Sequence, residues 1–231
     1  QRFLSSTRAG VLKMSSHLKL TTTEDISIIE MDDGKVNVFS IEMLENLRAL
    51  LLQVPRNKGA LVIKGRDGIF SGGFNLKTFQ TGNPEQINKM LKLGFETLYE
   101  VYTFPRPVIA AVSGHAIALG IFLTSCCDYR IGVKGDYILQ ANEVRNKMSI
   151  PTQLIEIAAS RLHKSHIYRA LFHAEPYPMA LGVEAGWLDE LVDQKDLEKV
   201  TLEKAQNLAE LGHPYYKETK EILLGETFQK I

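Results

Sequence analysis

The chain has 231 residues and 25.9 kDa, with 27 Lys and Arg against 27 Asp and Glu, 45% hydrophobic and 23% charged residues. That length holds one large domain or two small ones and is ample to bury a core. A net charge of zero without blocks of like charge speaks against a nucleic-acid or anionic-surface partner, because phosphate neutralisation needs surplus cations; no apolar run is long enough for a membrane span.

The first 23 residues carry Arg2, Arg8, Lys13 and Lys19 among Ser and Thr, with no acid. They read as an N-terminal arm or tag ahead of a start at Met14, or as a transit remnant. The expected location is cytoplasmic, or mitochondrial if that stretch is native transit sequence. Ile26–Met31 is the first strand candidate, a β-branched run. Ser40 can cap a helix that carries Ile41, Leu44, Leu47 and Leu51 on one face. Ala60–Lys64 is the second strand. Asn83-Pro84-Glu85 supplies a cap, a first-turn proline and a first-turn acid for a helix running to about Phe104. Val108–Val112 and Tyr129–Val133 are the third and fourth strands. Strand and helix alternate, which predicts an α/β fold with a largely parallel sheet. From Thr152 onward strand signals stop and helical segments dominate, over 153–162, 165–173, 179–185, 198–211 and 215–224. The division expected is an arm over 1–23, a core domain over 24–175 and a helical region over 176–231.

Several motifs weigh little. There is no G-x-G-x-x-G, Walker A or G-x-S-x-G sequence. His163 and His166 lack the companions of a metal site, and no metal is expected. Cys126 and Cys127 are adjacent in an apolar run and read as buried free thiols. Asp128 and Asp136 flank a strand and read as solvated strand ends.

Three segments break the core pattern. Ser71-Gly72-Gly73-Phe74-Asn75-Leu76-Lys77 pairs two glycines, which let a chain turn its N–H groups outward or simply make a tight turn. Ser113-Gly114-His115-Ala116-Ile117-Ala118-Leu119-Gly120 ends a strand on small residues before an apolar helix, the parts of an oxyanion hole or of close helix packing. Gln140-Ala141-Asn142-Glu143 places a carboxylate ahead of Pro151. The order GRDGIFSGGFNLK, FPRPVIAAVSGHAIALG, CCDYRI and ANE resembles the enoyl-CoA hydratase/isomerase (crotonase) family over roughly residues 24–200.

The resemblance implies a crotonase-like spiral of ββα units, capped by C-terminal helices that form a homotrimer or a dimer of trimers. It also implies an acyl-CoA thioester substrate, with no cofactor beyond the coenzyme A that the substrate carries. Matched by position, the oxyanion donors are the N–H groups of Phe74 and Leu119. Lys35, Val36, Gly72, Gly73, Asn75, Leu76 and Lys77 would border the CoA moiety, with Gly120 and Phe122 at the acyl pocket. Hydratases of this family carry two glutamates; here the first position is Phe122 and the second is Glu143. Shifting a double bond needs one base that takes a proton and returns it two carbons away, so a single glutamate favours a Δ3,Δ2-enoyl-CoA isomerase. A hydratase, a CoA-thioester hydrolase and a non-catalytic CoA-binding homologue are the alternatives. Arg145 and Lys147, close to Glu143 in sequence, predict a lowered carboxyl pKa.

Overall fold

The computed structural model describes residues 10–13 and 17–228. The tag-or-transit expectation, with Arg2, Arg8 and Met14, lies outside the described residues. The sheet begins early, with strands Gly10–Lys13 (β1) and Leu18–Thr22 (β2) antiparallel to each other, and β2 antiparallel to Ile26–Met31 (β3). Residues 18–22, expected in an arm, therefore belong to the fold, and Leu18 and Leu20 are core residues. Their alternation with Lys19 and Thr21 is the period of a half-buried strand.

Val38–Phe39 (β4) leads into helix Ile41–Leu51 (α1), where Ser40 Oγ accepts from the Met43 N–H at 3.1 Å. Ala60–Lys64 (β5), Gly68–Ser71 (β6) and Gly73–Phe74 (β7) follow, then Leu76–Gln80 (α2) and Pro84–Tyr102 (α3). Asn83 caps α3 by accepting from the N–H groups of Glu85 and Gln86. Val108–Val112 (β8), Gly114–Ile117 (β9) and Leu119–Cys126 (α4) come next, then Tyr129–Val133 (β10), Ile138–Gln140 (β11) and Thr152–Ala159 (α5). The chain closes with Lys164–Ile167 (α6), a π-helical turn over Tyr168–Phe172, Tyr177–Pro178 (β12), Gly182–Ala185 (α7), Glu190–Val192 (β13), Leu197–Ala209 (α8) and His213–Phe228 (α9). Strands therefore do not stop at Thr152. β12 and β13 are two and three residues long, too short to show a period, and β13 extends the main sheet by pairing in parallel with β10.

The seven-stranded sheet runs β1-β2-β3-β5-β8-β10-β13 and is parallel from β3 onward. A second sheet of four strands runs β12-β11-β9-β6, and β4 pairs with β7. Each of the pairs β5/β6, β8/β9 and β10/β11 gives one strand to the large sheet and the next to the small one before a helix follows. This is the repeating ββα unit. The core between the layers takes in α1, α3 and α4, with Leu44, Leu47, Phe70, Leu98, Ile121 and Phe122 at or near zero exposure. Cys126 and Cys127 are free thiols within it, and burial pushes the Cys127 thiol up to about 12.

Asp128 departs from the solvated strand end expected. Its carboxylate takes the Val108 N–H at 2.9 Å and the Lys220 ammonium at 2.8 Å, and Lys220 also donates to the Phe104 carbonyl. Lys220 is buried, so this pair pins α9 onto the body of the fold. Among the described residues no helix is long and apolar enough to cross a membrane.

Candidate active site

Strands β6, β9 and β11 run parallel in the small sheet, so their carboxyl ends share one edge. The three segments singled out from the sequence leave the sheet at that edge, which is where open α/β sheets place ligands. Between β6 and β9 the register jumps at Phe70, a bulge that re-aims Ser71. Ser71 Oγ donates to the Asn37 carbonyl at 2.7 Å and accepts the Gly73 N–H at 3.1 Å. Asn37, fully buried with φ +50°, donates to the carbonyls of Met31 and Phe70. The Gly72 N–H donates to the Val36 carbonyl at 2.8 Å. Asn37 thus fastens the 32–37 segment to the glycine loop. Sequence reading missed it, because one asparagine in a turn carries no pattern.

Gly73 has φ +87°, and a Cβ there would lie 2.7 Å from the Ala118 Cβ and 3.0 Å from the Leu119 nitrogen. Only glycine permits both the conformation and the approach. Asn75 N–H donates to the Phe39 carbonyl at 3.2 Å, so the Phe74 N–H, one residue earlier in an extended chain, points away from β4. The Leu119 N–H opens α4 and has no acceptor within the helix. Ala118 before it holds φ 51°, ψ −127°, a strained conformation for a residue with a Cβ. Gly94 of α3 receives both neighbouring side chains; a Cβ on it would meet the Phe74 ring at 2.4 Å and Leu119 Cδ2 at 3.2 Å. The two expected donors are therefore brought to one place, with Phe74 and Leu119 packed on the same helix.

A cavity of about 250 Å³ opens here, and its wall includes Gly72, Phe74, Ala118, Asn142, Glu143 and Leu154. Among the described residues Glu143 is its only titratable wall residue. It is 7% exposed, Oε2 has no hydrogen-bond partner among the described residues, and burial pushes the carboxyl up to about 7 against a smaller downward pull from its own backbone. That reverses the expectation of a lowered value. Arg145 donates from Nε to the Ala174 carbonyl at 2.7 Å instead of meeting Glu143, so closeness in sequence did not become closeness in space. Asn142 Oδ1 beside it is likewise buried without a partner.

Phe122, expected to line the pocket, is fully buried in the core and does not form part of the cavity wall. Gly120 packs behind the wall, where a Cβ would meet the Ser71 carbonyl at 2.5 Å. Leu76 and Lys77 are exposed at the rim, with Asn75 capping α2 through the Lys77 N–H. Lys35 and Val36 are exposed on the neighbouring turn, which Arg66 braces by donating to the Lys35 carbonyl. His163 precedes α6, and His166 is buried with Nδ1 3.0 Å from the Tyr177 hydroxyl. Among the described residues no three His, Cys, Asp or Glu side chains converge as metal ligands would.

The sequence pattern of enoyl-CoA hydratases/isomerases matches residues 21–228. The chain belongs to the enoyl-CoA hydratase/isomerase family. Among curated relatives, mitochondrial enoyl-CoA delta isomerase 1 of Rattus norvegicus is 26% identical over 73% of this chain and 60% of its own. A probable enoyl-CoA hydratase of Bacillus subtilis is 27% identical over 51% of this chain and 46% of its own. The chain thus spans about half to three fifths of these relatives. Among solved structures, an enoyl-CoA isomerase of Mycobacterium tuberculosis is 35% identical with a TM-score of 0.88, covering 94% of this chain and 95% of the other. The same mycobacterial protein is elsewhere described as a probable hydratase. Human mitochondrial Δ3-Δ2-enoyl-CoA isomerase, at 20% identity, 93% and 85% coverage and a TM-score of 0.88, shares the fold. The spiral of ββα units is therefore the crotonase fold of this family.

Proposed function

We propose that the chain is an enoyl-CoA isomerase that shifts a 3-enoyl thioester to the 2-enoyl form. One observation carries this reading: among the described residues, Glu143 is the only ionisable side chain in the wall of the cavity. The Glu143 carboxylate takes the proton from C2, and the C–H electron pair flows toward the thioester carbonyl as an enolate. The oxyanion is held by the N–H groups of Phe74 and Leu119, donors of a kind typically worth about 2.7–4 kcal/mol each in the transition state. The protonated carboxyl then delivers the same proton to C4 while the double bond moves from C3–C4 to C2–C3, and the enzyme returns unchanged. An Oε2 without a partner supports this, because a shuttle must reach two carbons and a fixed hydrogen bond would hold it at one. A pKa near 7 suits a group that must both accept and release a proton.

Hydration asks two groups to activate water and manage the α-proton, and Phe122 stands at the position where the family's hydratases carry the second glutamate. The CoA end would lie along Lys35 and Val36 and the 72–77 loop, with Lys77 as its cation. Separate incubation with 3-enoyl-CoA and 2-enoyl-CoA tests the reading. Turnover of the first alone is expected. Hydration of the second would make the chain a hydratase, and binding without turnover would make it a non-catalytic CoA binder.

A further inference from the structure

The catalytic cavity is not the only space that α3 and α5 enclose. A groove of about 890 Å³ lies between α1, α3 and α5, and it shares two wall residues with the catalytic cavity, Phe95 and Leu154. Its apolar surface comes from Leu52, Leu98, Tyr99 and Ile157 with the shared pair. Leu52 and Tyr99 are 71% and 47% exposed, which leaves hydrocarbon uncovered in a concave site. The charged residues along the groove are two arginines and two glutamates that pair with one another: Arg48 with Glu96 and Glu100, and Arg56 with Glu100. Among the described residues the groove therefore has no surplus charge to attract an ionic group, and apart from Thr103 and Gln153 the rest of its wall is apolar.

We infer that Phe95 and Leu154 form a gate between the catalytic cavity and this groove, through which the distal part of a long acyl chain passes. The inference rests on the acyl-CoA reading above and adds the class of substrate. At about 30 Å³ for each water-sized group, the 250 Å³ catalytic cavity holds on the order of eight carbons, including the reacting ones. A longer chain must leave it, and the groove behind the shared pair is the apolar space it reaches. Leu154 is buried on α5 and Phe95 half-buried on α3, so a rotamer change of the phenyl ring is the smaller movement that opens the passage. Long-chain thioesters, beyond about eight carbons, are then the preferred substrates, and the exposed Leu52 and Tyr99 are the far contacts of the chain.

Binding of saturated acyl-CoAs tests this without relying on turnover. The intact protein is titrated calorimetrically with hexanoyl-, octanoyl-, dodecanoyl- and hexadecanoyl-CoA below their micellar concentrations. A fully buried methylene strengthens binding by up to about fourfold, so even a half-open groove should make dodecanoyl-CoA bind at least about tenfold tighter than octanoyl-CoA. Leu52→Glu, at an exposed position outside the catalytic cavity, should abolish that increment and leave hexanoyl-CoA affinity unchanged. Phe95→Trp, which enlarges the gate residue, should lower the ratio of dodecanoyl to hexanoyl affinity. Equal affinity for octanoyl- and dodecanoyl-CoA in the unaltered protein, or an increment that survives Leu52→Glu, overturns the gate while leaving the isomerase reading intact. A full ladder of affinities with no turnover of any 3-enoyl thioester would support the gate and sink the isomerase. Failure of every acyl-CoA to bind would remove both.

Discussion

Glu143→Gln should make the protein more stable at neutral pH while removing its activity. An ordinary glutamate carboxyl titrates near 4.5, and burial moves Glu143 to about 7. Below pH 4.5 the carboxyl is protonated in both the folded and unfolded chains, and the side chain contributes no pH dependence. Between the two values the unfolded chain loses the proton while the folded chain keeps it, so stability falls as pH rises. Above pH 7 both are ionised and the whole cost of a buried charge is present. At about 1.4 kcal/mol for each tenfold change, that cost is on the order of 3 kcal/mol. Glutamine keeps the shape and never ionises. Urea unfolding of both proteins, at matched concentration from pH 4 to pH 8, should therefore show the difference between them growing by about that amount in favour of Gln. Isomerisation should fall by roughly 10² to 10⁴ over the same substitution. A stability difference that stays within about 0.5 kcal/mol across the range, the size of an ordinary surface change, would mean the carboxyl is not desolvated. Full activity in the glutamine protein would mean that the base lies elsewhere.

In the unaltered enzyme, kcat/KM should drop as pH falls through about 7 if, as proposed, the proton acceptor is the ionised Glu143 carboxyl; a profile flat from pH 5 to 8 would contradict the assignment. Gly73→Ala should destabilise by more than the roughly 1 kcal/mol of an ordinary glycine replacement, since the new methyl must enter at positive φ against Ala118; calorimetric melting at wild-type Tm would refute that packing. Lys220→Ala leaves Asp128 largely buried without its cation and should cost about 3–5 kcal/mol, read by urea unfolding; a loss under about 1 kcal/mol would show that the pair does not hold α9. The outer face of α9 exposes Tyr215, Ile222 and Leu223 at 75%, 83% and 79%, and burial of that face is expected in a trimer or dimer of trimers. Light scattering should give a mass three or six times the 25.9 kDa of one chain, and a monomer at every concentration would refute it.

What the sequence made legible follows from how each signal arises. The runs ISIIEM, ALVIK, VIAAV and YRIGV announce β3, β5, β8 and β10 to the residue, because the inner strands of a covered parallel sheet must be apolar nearly throughout. Ser40 and Asn83 mark their helices for the same kind of reason, since orphan N–H groups need an oxygen at a fixed place. The small sheet escaped, because β6, β9 and β11 are three or four residues long and carry Gly, Ser, His and Gln. Their pairing is a tertiary fact without a local period. The segments that carry Phe74, Leu119 and Glu143 stood out by resemblance, and the structure brings them to one edge of the small sheet; their surroundings were less legible. Arg145 looked like a neighbour of the carboxylate and turned toward Ala174; Phe122 looked like a wall and lies behind one. The direction of Arg145 is set by a contact 29 residues along the chain, which no local window contains.

The shared edge of β6, β9 and β11 separates two kinds of inheritance. On the proposed reading, scaffold and reactivity occupy different residues: the ladder of the small sheet fixes where three exits point, and each exit would deliver one component, an amide hydrogen, a second amide hydrogen and a carboxylate. The first two depend on peptide groups that every sequence possesses, so their side chains are free to drift. The third depends on a side chain and can be gained, lost or joined by another at position 122 without disturbing a strand. A lineage built this way can exchange one reaction for another through one or two substitutions while its architecture stays still, which gives a physical reason why relatives that share this fold carry the names of both hydratases and isomerases.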